Sequence, residues 1–391
     1  MAELTFELSS IGGLAPGWHG FPEFEAPQPN LNAFGVNGQY ADGIVNPFRR
    51  PGFLSPATSA VASLTFDSTP LALVRATQVD DVNAKIYLFE GQQTTATLWE
   101  LETLTDDNAT IRRQITGLSG CNPTDIEIYS LNGVRTLFYA YNKGSAGEIG
   151  SWDLGTVFND SYISTSAVAG VAMTTGDTKM IVADDGFMYI LDRFSIHKLD
   201  GKTSGGGNGT LTPTIIGFPA PYQLVDGVDG RGFIWVALVK TSRAIYGAGD
   251  VNDTTENTCG VYVWDRQPTV ASTKDFIPVT GAKEIRSIFF FEGSPWVISS
   301  SSNRLTEVRK LEGNEFKVKF ELPRAARPRF RDSVQVKGNK VYWLGRDDGI
   351  MYCIGRITQD APLGIHRIGD MTTHINDESW STGGSIAVAG G

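Results

Sequence analysis

Cysteine, histidine and long apolar runs are all scarce in this 391-residue chain. Its three cysteines, Cys121, Cys259 and Cys353, lie far apart with no Cys-x-x-Cys spacing. So odd and sparse a set argues against a disulfide framework, fits assembly in a reducing cytoplasm, and leaves three small buried hydrophobes as the plain reading. The four histidines, His19, His197, His366 and His374, show neither the His-Glu-x-x-His nor the His-x-His spacing that brings imidazoles to one metal. No stretch approaches the ~18 apolar residues needed to cross a bilayer. Met1-Ala-Glu-Leu-Thr-Phe-Glu7 lacks the basic and apolar regions of a secretory signal, so no membrane span and no classical export are expected.

A concentrated positive charge is missing as well. Thirty-three Lys and Arg stand against 43 Asp and Glu, a formal net charge of −10, and no block gathers the cations. Surfaces that grip phosphate usually carry the opposite excess, so tight nucleic-acid binding is not expected. Catalytic templates are absent too: there is no Gly-x-Ser-x-Gly elbow, no Walker loop and no Ser-x-Asp-x-Gly-x-Thr-Trp box. The sequence therefore nominates no catalytic, cofactor-binding or metal-binding residue, and the expectation is a protein that is not an enzyme and needs no cofactor.

What is present is 41% hydrophobic residues with 44 glycines and 18 prolines, enough apolar material for a large core broken by many turns. Residues 1–58 stand apart, with Ala15-Pro-Gly-Trp18, Ala26-Pro-Gln-Pro29 and Arg49-Arg-Pro-Gly-Phe53. Proline removes backbone donors and fixes φ, so this stretch reads as an extended N-terminal arm and not as a regular sheet or helix along its length. From residue 59 the chain turns to short β-branched and aromatic runs punctuated by Gly, Asn and Asp.

Those runs recur. Aromatic-bearing strands centred on Tyr87, Phe138, Tyr189, Trp235, Trp296 and Tyr342 lie 51, 51, 46, 61 and 46 residues apart, and a further mark falls near Val388. Each is preceded by another apolar run and a turn, as in Asp125–Ser130 before Asn132-Gly133, and the pair reads as a hairpin. Each is followed by a third run such as Thr97–Leu101, Val261–Asp265 or Leu305–Arg309, and in several units by a weaker fourth, such as Ile111–Ile115, Thr214–Phe218 or Glu315–Phe320. Three or four strands per ~50 residues is one propeller blade. The fold expected is all-β: a single β-propeller of about six to seven four-stranded blades over residues 59–391, with the arm at 1–58. The terminal Gly383-Gly-Ser-Ile-Ala-Val-Ala-Gly-Gly391 resembles half a blade. Either strands from around Thr58–Thr65 complete it, or the chain is a piece of something longer.

Several local features have competing readings. His197 sits inside a strand, where an ordinary core histidine outweighs a ligand. Gly205–Gly209 and the excess around Ser242–Thr258 read as surface loops. The acidic segments Asp226-Gly-Val-Asp-Gly230 and Asp184-Asp-Gly186, with Asp347-Asp-Gly349 as an echo of the latter, read as hairpin turns, with Ca²⁺ ligation as the alternative.

At the junction of arm and body, Asn32-Ala-Phe-Gly-Val-Asn37, Asp42-Gly-Ile-Val-Asn46 and Arg49-Arg-Pro-Gly-Phe53 resemble the opening of propeller proteins in bacteriophage tails. Tyr189-Ile-Leu-Asp-Arg-Phe-Ser-Ile-His-Lys-Leu-Asp-Gly201 is similar to a strand pair common in them. The family concerned is the tail nozzle and head-closure propellers of short-tailed phages. The resemblance implies a structural virion component, a homo-oligomeric ring of copies, commonly six, joined to other tail and neck proteins around the path of genome ejection, assembled in the host cytoplasm. A cellular propeller serving as a protein-interaction scaffold is the alternative, and a propeller enzyme acting on glycans a lesser one.

Overall fold

A computed structural model of the chain describes residues 38–41, 44–49, 73–91, 95–101, 109–116, 121–144, 146–163, 173–174, 178–202, 209–218, 222–240, 259–268, 276–301, 305–328, 334–346, 350–356 and 362–370. The chain is all-β and forms a propeller of six four-stranded antiparallel blades. Every blade is one uninterrupted stretch of chain folded as a meander. Blade one holds β3 (Leu73–Asp80), β4 (Lys85–Gly91), β5 (Thr95–Leu101) and β6 (Ala109–Thr116). Blade two holds β7 (Cys121–Leu131), β8 (Val134–Lys143), β9 (Ala146–Trp152) and β10 (Phe158–Ile163), with a two-residue strand, β11 (Met173–Thr174), also paired to β9. Blade three is β12 (Lys179–Val182), β13 (Met188–Asp192), β14 (Ser195–Asp200) and β15 (Thr210–Gly217). Blade four is β16 (Tyr222–Gly230), β17 (Phe233–Lys240), β18 (Cys259–Trp264) and β19 (Phe276–Pro278). Blade five is β20 (Ala282–Phe291), β21 (Ser294–Ser301), β22 (Thr306–Glu312) and β23 (Glu315–Leu322). Blade six is β24 (Val334–Lys337), β25 (Lys340–Leu344), β26 (Ile350–Gly355) and β27 (Gly364–Asp370).

All six recurring aromatic marks fall on the second strand of a blade, and the reason is packing between blades. Tyr87 on β4 meets the edge of Trp152 on β9 with ring centroids 5.7 Å apart, and Tyr189 on β13 meets Trp264 on β18 at 5.4 Å. In both pairs the second strand of one blade sets an aromatic ring on the third strand of the next. A small sheet cannot cover its own faces, so its buried side chains form clusters that straddle neighbouring blades. Trp, Tyr and Phe buried there each remove a large apolar area from water.

The first strands lie side by side, β3 by β7, β7 by β12, β12 by β16, β16 by β20 and β20 by β24. They are therefore nearest the axis, and the fourth strands form the outer rim. The last seam carries an ion pair from Lys337 of blade six to Asp81 of blade one, 3.0 Å long.

Asn132-Gly133 joins β7 to β8 as the hairpin expected of that dipeptide, with φ of 51° and 81°. Left-handed geometry at both central positions matches the twist of the flanking strands, which Asn and Gly adopt at little cost. Within the expected arm, β1 (Gly38–Ala41) and β2 (Ile44–Arg49) form a hairpin. Pro47 is tolerated in β2 because it falls in a register break, between Asn46 paired to Gln39 and Arg49 paired to Gly38, where no ladder N–H is needed. The rest of residues 1–58, the mark near Val388, the half-blade at the C-terminus, Thr58–Thr65 and the loop around Ser242–Thr258 lie outside the described residues.

Candidate functional site

Because each blade is a meander, the turns joining strands one to two and three to four emerge at the same end of the ring. This end is the hairpin face, and its turns are tied to one another around the circle. Between blades one and two, Asp80 accepts from Arg135 at 2.6 Å. Between two and three, the Asn132 N–H donates to the Gly201 carbonyl at 2.7 Å, and the Tyr129 hydroxyl donates to the Gly186 carbonyl at 2.9 Å. Between three and four stands Arg266, treated below. Between four and five, the Phe290 ring lies so close to Gly230 that a Cβ there would sit 2.4 Å from it. Arg356 pairs with Glu292 at 3.2 Å between five and six, and Lys337 with Asp81 closes the circle.

Asp80 shows how such a tie is built. Its carboxylate accepts the Val82 and Asn83 N–H groups at 3.0 and 3.1 Å and the Asn83 side-chain amide at 2.8 Å, fixing the turn before β4. Burial pushes its pKa up, but the hydrogen bonds from Asn83 and Arg135 outweigh burial and hold it below the usual carboxylate value.

Arg266 is the centre of a group of three carboxylates on this face. The turn that carries it recurs. In blade two the indole N–H of Trp152 donates to the Gly155 carbonyl while Asp153 accepts from the Gly155 and Val157 N–H groups. In blade four Trp264 donates to the Gln267 carbonyl and Asp265 accepts from the Gln267 N–H. The residue after each Asp is left-handed, Leu154 at φ 59° and Arg266 at φ 66°. From that position the guanidinium donates to the carboxylates of Asp184 and Asp229, with Asp185 at 3.4 Å. The Asp184 N–H also donates to Asp229 at 3.0 Å, and the Tyr189 hydroxyl to Asp185 at 2.8 Å. Burial alone would lower the pKa of Arg266, but the carboxylates reverse this and raise it, while burial and Asp185 raise that of Tyr189.

The two acidic segments of the sequence thus meet, but around a guanidinium. Among the described residues no group of three or more His, Cys, Asp or Glu is placed to hold a metal ion. Asp184-Asp-Gly186 is the expected hairpin turn. Asp226–Gly230 is not: it is the end of β16, and the turn that follows is Arg231-Gly232 at φ 55° and 79°. Asp226 lies at a bulge, where Leu224 pairs with Leu238 and Asp226 with Ala237. It is buried and accepts from the Gly227 N–H, the Ser287 hydroxyl and the Ile288 N–H at 2.8, 3.0 and 2.9 Å. Asp125, at the matching bulge of β7, accepts from the Met180 N–H at 2.5 Å and from Lys179 at 3.2 Å. Both clasp the innermost strand of the next blade. Nor is Asp347–Gly349 a counterpart of Asp184–Gly186: it falls between the second and third strands of blade six, and its own residues lie outside the described ones.

His197 lies buried beside Ser195 and Asp192, three residue types that can make a nucleophilic relay. The hydrogen bonds set another role. Nδ1 accepts the Thr214 N–H at 2.9 Å, which leaves the proton on Nε2, and Nε2 faces the Ser195 hydroxyl at 3.3 Å and Asp192 at 3.8 Å. A ring that already carries its proton on the nitrogen facing serine cannot take the serine's proton. His197 therefore braces the irregular pairing of β14 with β15. The ring of His366 is buried with Nε2 3.2 Å from the Gly355 carbonyl. His19, His374 and most of Gly205–Gly209 lie outside the described residues. Cys121, Cys259 and Cys353 are buried thiols outside any disulfide, and burial pushes the Cys121 thiol up to about 11.

Sequence reasoning missed the apolar side chains of the hairpin face. Val82, Val134 and Val157 are 73%, 52% and 63% exposed, and Val182, Phe233 and Val336 are exposed as well. These are six of the eight exposed large hydrophobics among the described residues; Ile111 and Val318 are on fourth strands. The signal was present, since Asn132-Gly-Val134 and Arg231-Gly-Phe233 set an apolar residue directly after a turn glycine.

No protein family model matches the chain, and no curated protein matches it. Solved structures similar to it include the Dos1 propeller, 12% identical over 76% of this chain and 72% of that one, with a TM-score of 0.46. The SapL1 lectin, in complex with alpha methyl fucoside, is 12% identical over 76% and 96% at a TM-score of 0.43. The Bacillus subtilis arabinanase Arb43A is 12% identical over 63% and 92% at 0.33. Likenesses this distant say nothing of what the chain binds.

Proposed function

We propose that this chain is a non-catalytic interaction scaffold that presents its hairpin face to a partner macromolecule. The observation that carries the reading is the gathering of exposed Val82, Val134, Val157, Val182, Phe233 and Val336 on turns that are tied seam by seam. Exposed apolar side chains cost solvation, and a set of them on a pre-organised surface is what a docking face needs.

The test compares the unmodified chain with a Val82→Ser/Val134→Ser/Phe233→Ser variant and with an Ile111→Ser/Val318→Ser control, all of equal melting temperature. Captured from the source cells under matched conditions, a specific partner should stay with the unmodified chain and the control and be lost from the face variant. Equal retention by all three would remove the hairpin face from the function. The virion role implied by the phage-tail resemblance is one case of this reading, the partner then being a further copy or another tail protein. Rings of fixed symmetry by electron microscopy and light scattering would select that case, and a monomer at every concentration would reject it.

A further inference from the structure

We infer that the partner segment taken by the hairpin face is cationic and amphipathic, a stretch of protein in which Lys or Arg alternates with apolar residues. This deepens the scaffold reading and rests on it. Across blades one to four, four of the five exposed apolar side chains of this face lie close in sequence to carboxylates: Val82 follows Asp81, Val157 lies four residues after Asp153, Val182 two before Asp184, and Phe233 four after Asp229, while the fifth, Val134, is followed by Arg135.

At two seams the carboxylates face outward more than the cations that pair with them, whereas Arg135 and Arg356 are the more exposed partners of Asp80 and Glu292. The side chain of Asp184 is 61% exposed against 9% for Arg266, and that of Asp81 is 62% exposed against 32% for Lys337. The one charge of Arg266, itself beneath the surface, is shared among three carboxylates of which Asp184 faces solvent, so the potential that reaches solvent at that seam is negative. Where exposed valines stand among outward carboxylates, at Val82 with Asp81 and at Val182 with Asp184, the surface is complementary to alternating cations and apolar groups, and it repels phosphate. Nucleic acid and anionic membrane are thereby disfavoured on the same ground.

The experiment titrates the full chain with three synthetic peptides of about twelve residues, which reach roughly 40 Å when extended: Lys alternating with Leu, Lys with Ser, and Glu with Leu. The Lys/Leu peptide should bind at least tenfold tighter than either other peptide. Its binding should weaken at least tenfold in Val82→Ser/Val182→Ser, weaken with added salt, and be unchanged in Ile111→Ser/Val318→Ser. Equal binding of Lys/Leu and Lys/Ser, or equal binding to the face variant and the unmodified chain, overturns the inference. Face-dependent preference for Glu/Leu overturns the cationic class while leaving the scaffold reading standing. Absence of any face-dependent binding, together with equal capture by all variants in cells, sinks both.

Discussion

Asp80 and Asp160 both pin blade one to blade two, Asp80 to Arg135 at the inner tip and Asp160 to Arg113 at the outer rim. Burial pushes both carboxyls up, yet hydrogen bonds and the facing guanidinium leave each below its ordinary value; for Asp160 the Tyr139 hydroxyl contributes. A folded pKa below the unfolded one makes the stabilisation complete above about pH 4, the unfolded value, and removes it as pH falls through the folded value. Asp80→Asn should cost about 1–3 kcal/mol at pH 7. It should also shrink the drop in urea midpoint between pH 7 and pH 3, and an undiminished drop would show that other carboxylates govern acid sensitivity. Gly150 makes a second test. A Cβ there would lie 2.2 Å from the Tyr139 ring, so Gly150→Ala should lose about 2–3 kcal/mol by overpacking, read from the same urea curves. Neither role was legible in the sequence. Tyr139 stands out as a strand aromatic, but nothing local says which glycine must stay bare to admit it.

The inner-strand bulge is the element that joins blades, and its aspartate is the joint. Asp226→Ala would leave the buried Ile288 N–H without its acceptor, at a cost of about 2–3 kcal/mol. Hydrogen exchange at Ile288 should accelerate by more than at amides on blades one or two; a uniform change would deny Asp226 a local role. Second and third strands could be read from their β-branched and aromatic runs because both faces of those strands are largely covered. Fourth strands were legible only in part. β6, β15 and β23 could be read from Ile111–Ile115, Thr214–Phe218 and Glu315–Phe320, although β15 and β23 are largely exposed, whereas β19 spans only Phe276–Pro278, too short to show as a recurring run. Asp226-Gly-Val-Asp-Gly230 misled for a different reason: the donors that hold the Asp226 carboxylate come from β20 of the next blade, which a local pattern cannot show.

For the whole ring, the spacing of the aromatic marks made the blade architecture legible, because one blade must be repeated at nearly constant length to close a circle. How the circle closes was not legible, since Lys337 and Asp81 are 256 residues apart and each looks like an ordinary surface charge. That pair is half exposed, so Lys337→Glu should shift stability by less than about 1 kcal/mol, measured by chemical denaturation. A much larger loss would mean that this one contact holds the sixth blade to the first.

The buried thiols turn the ring into something that can time its own opening. Cys121 on β7, Cys259 on β18 and Cys353 on β26 fall in the second, fourth and sixth blades, at alternate spokes of the wheel. A maleimide can react with each sulfur only after its cover lifts. Three labelling clocks that tick together would describe a wheel that breaks at once, and three that tick apart would name the spoke that yields first.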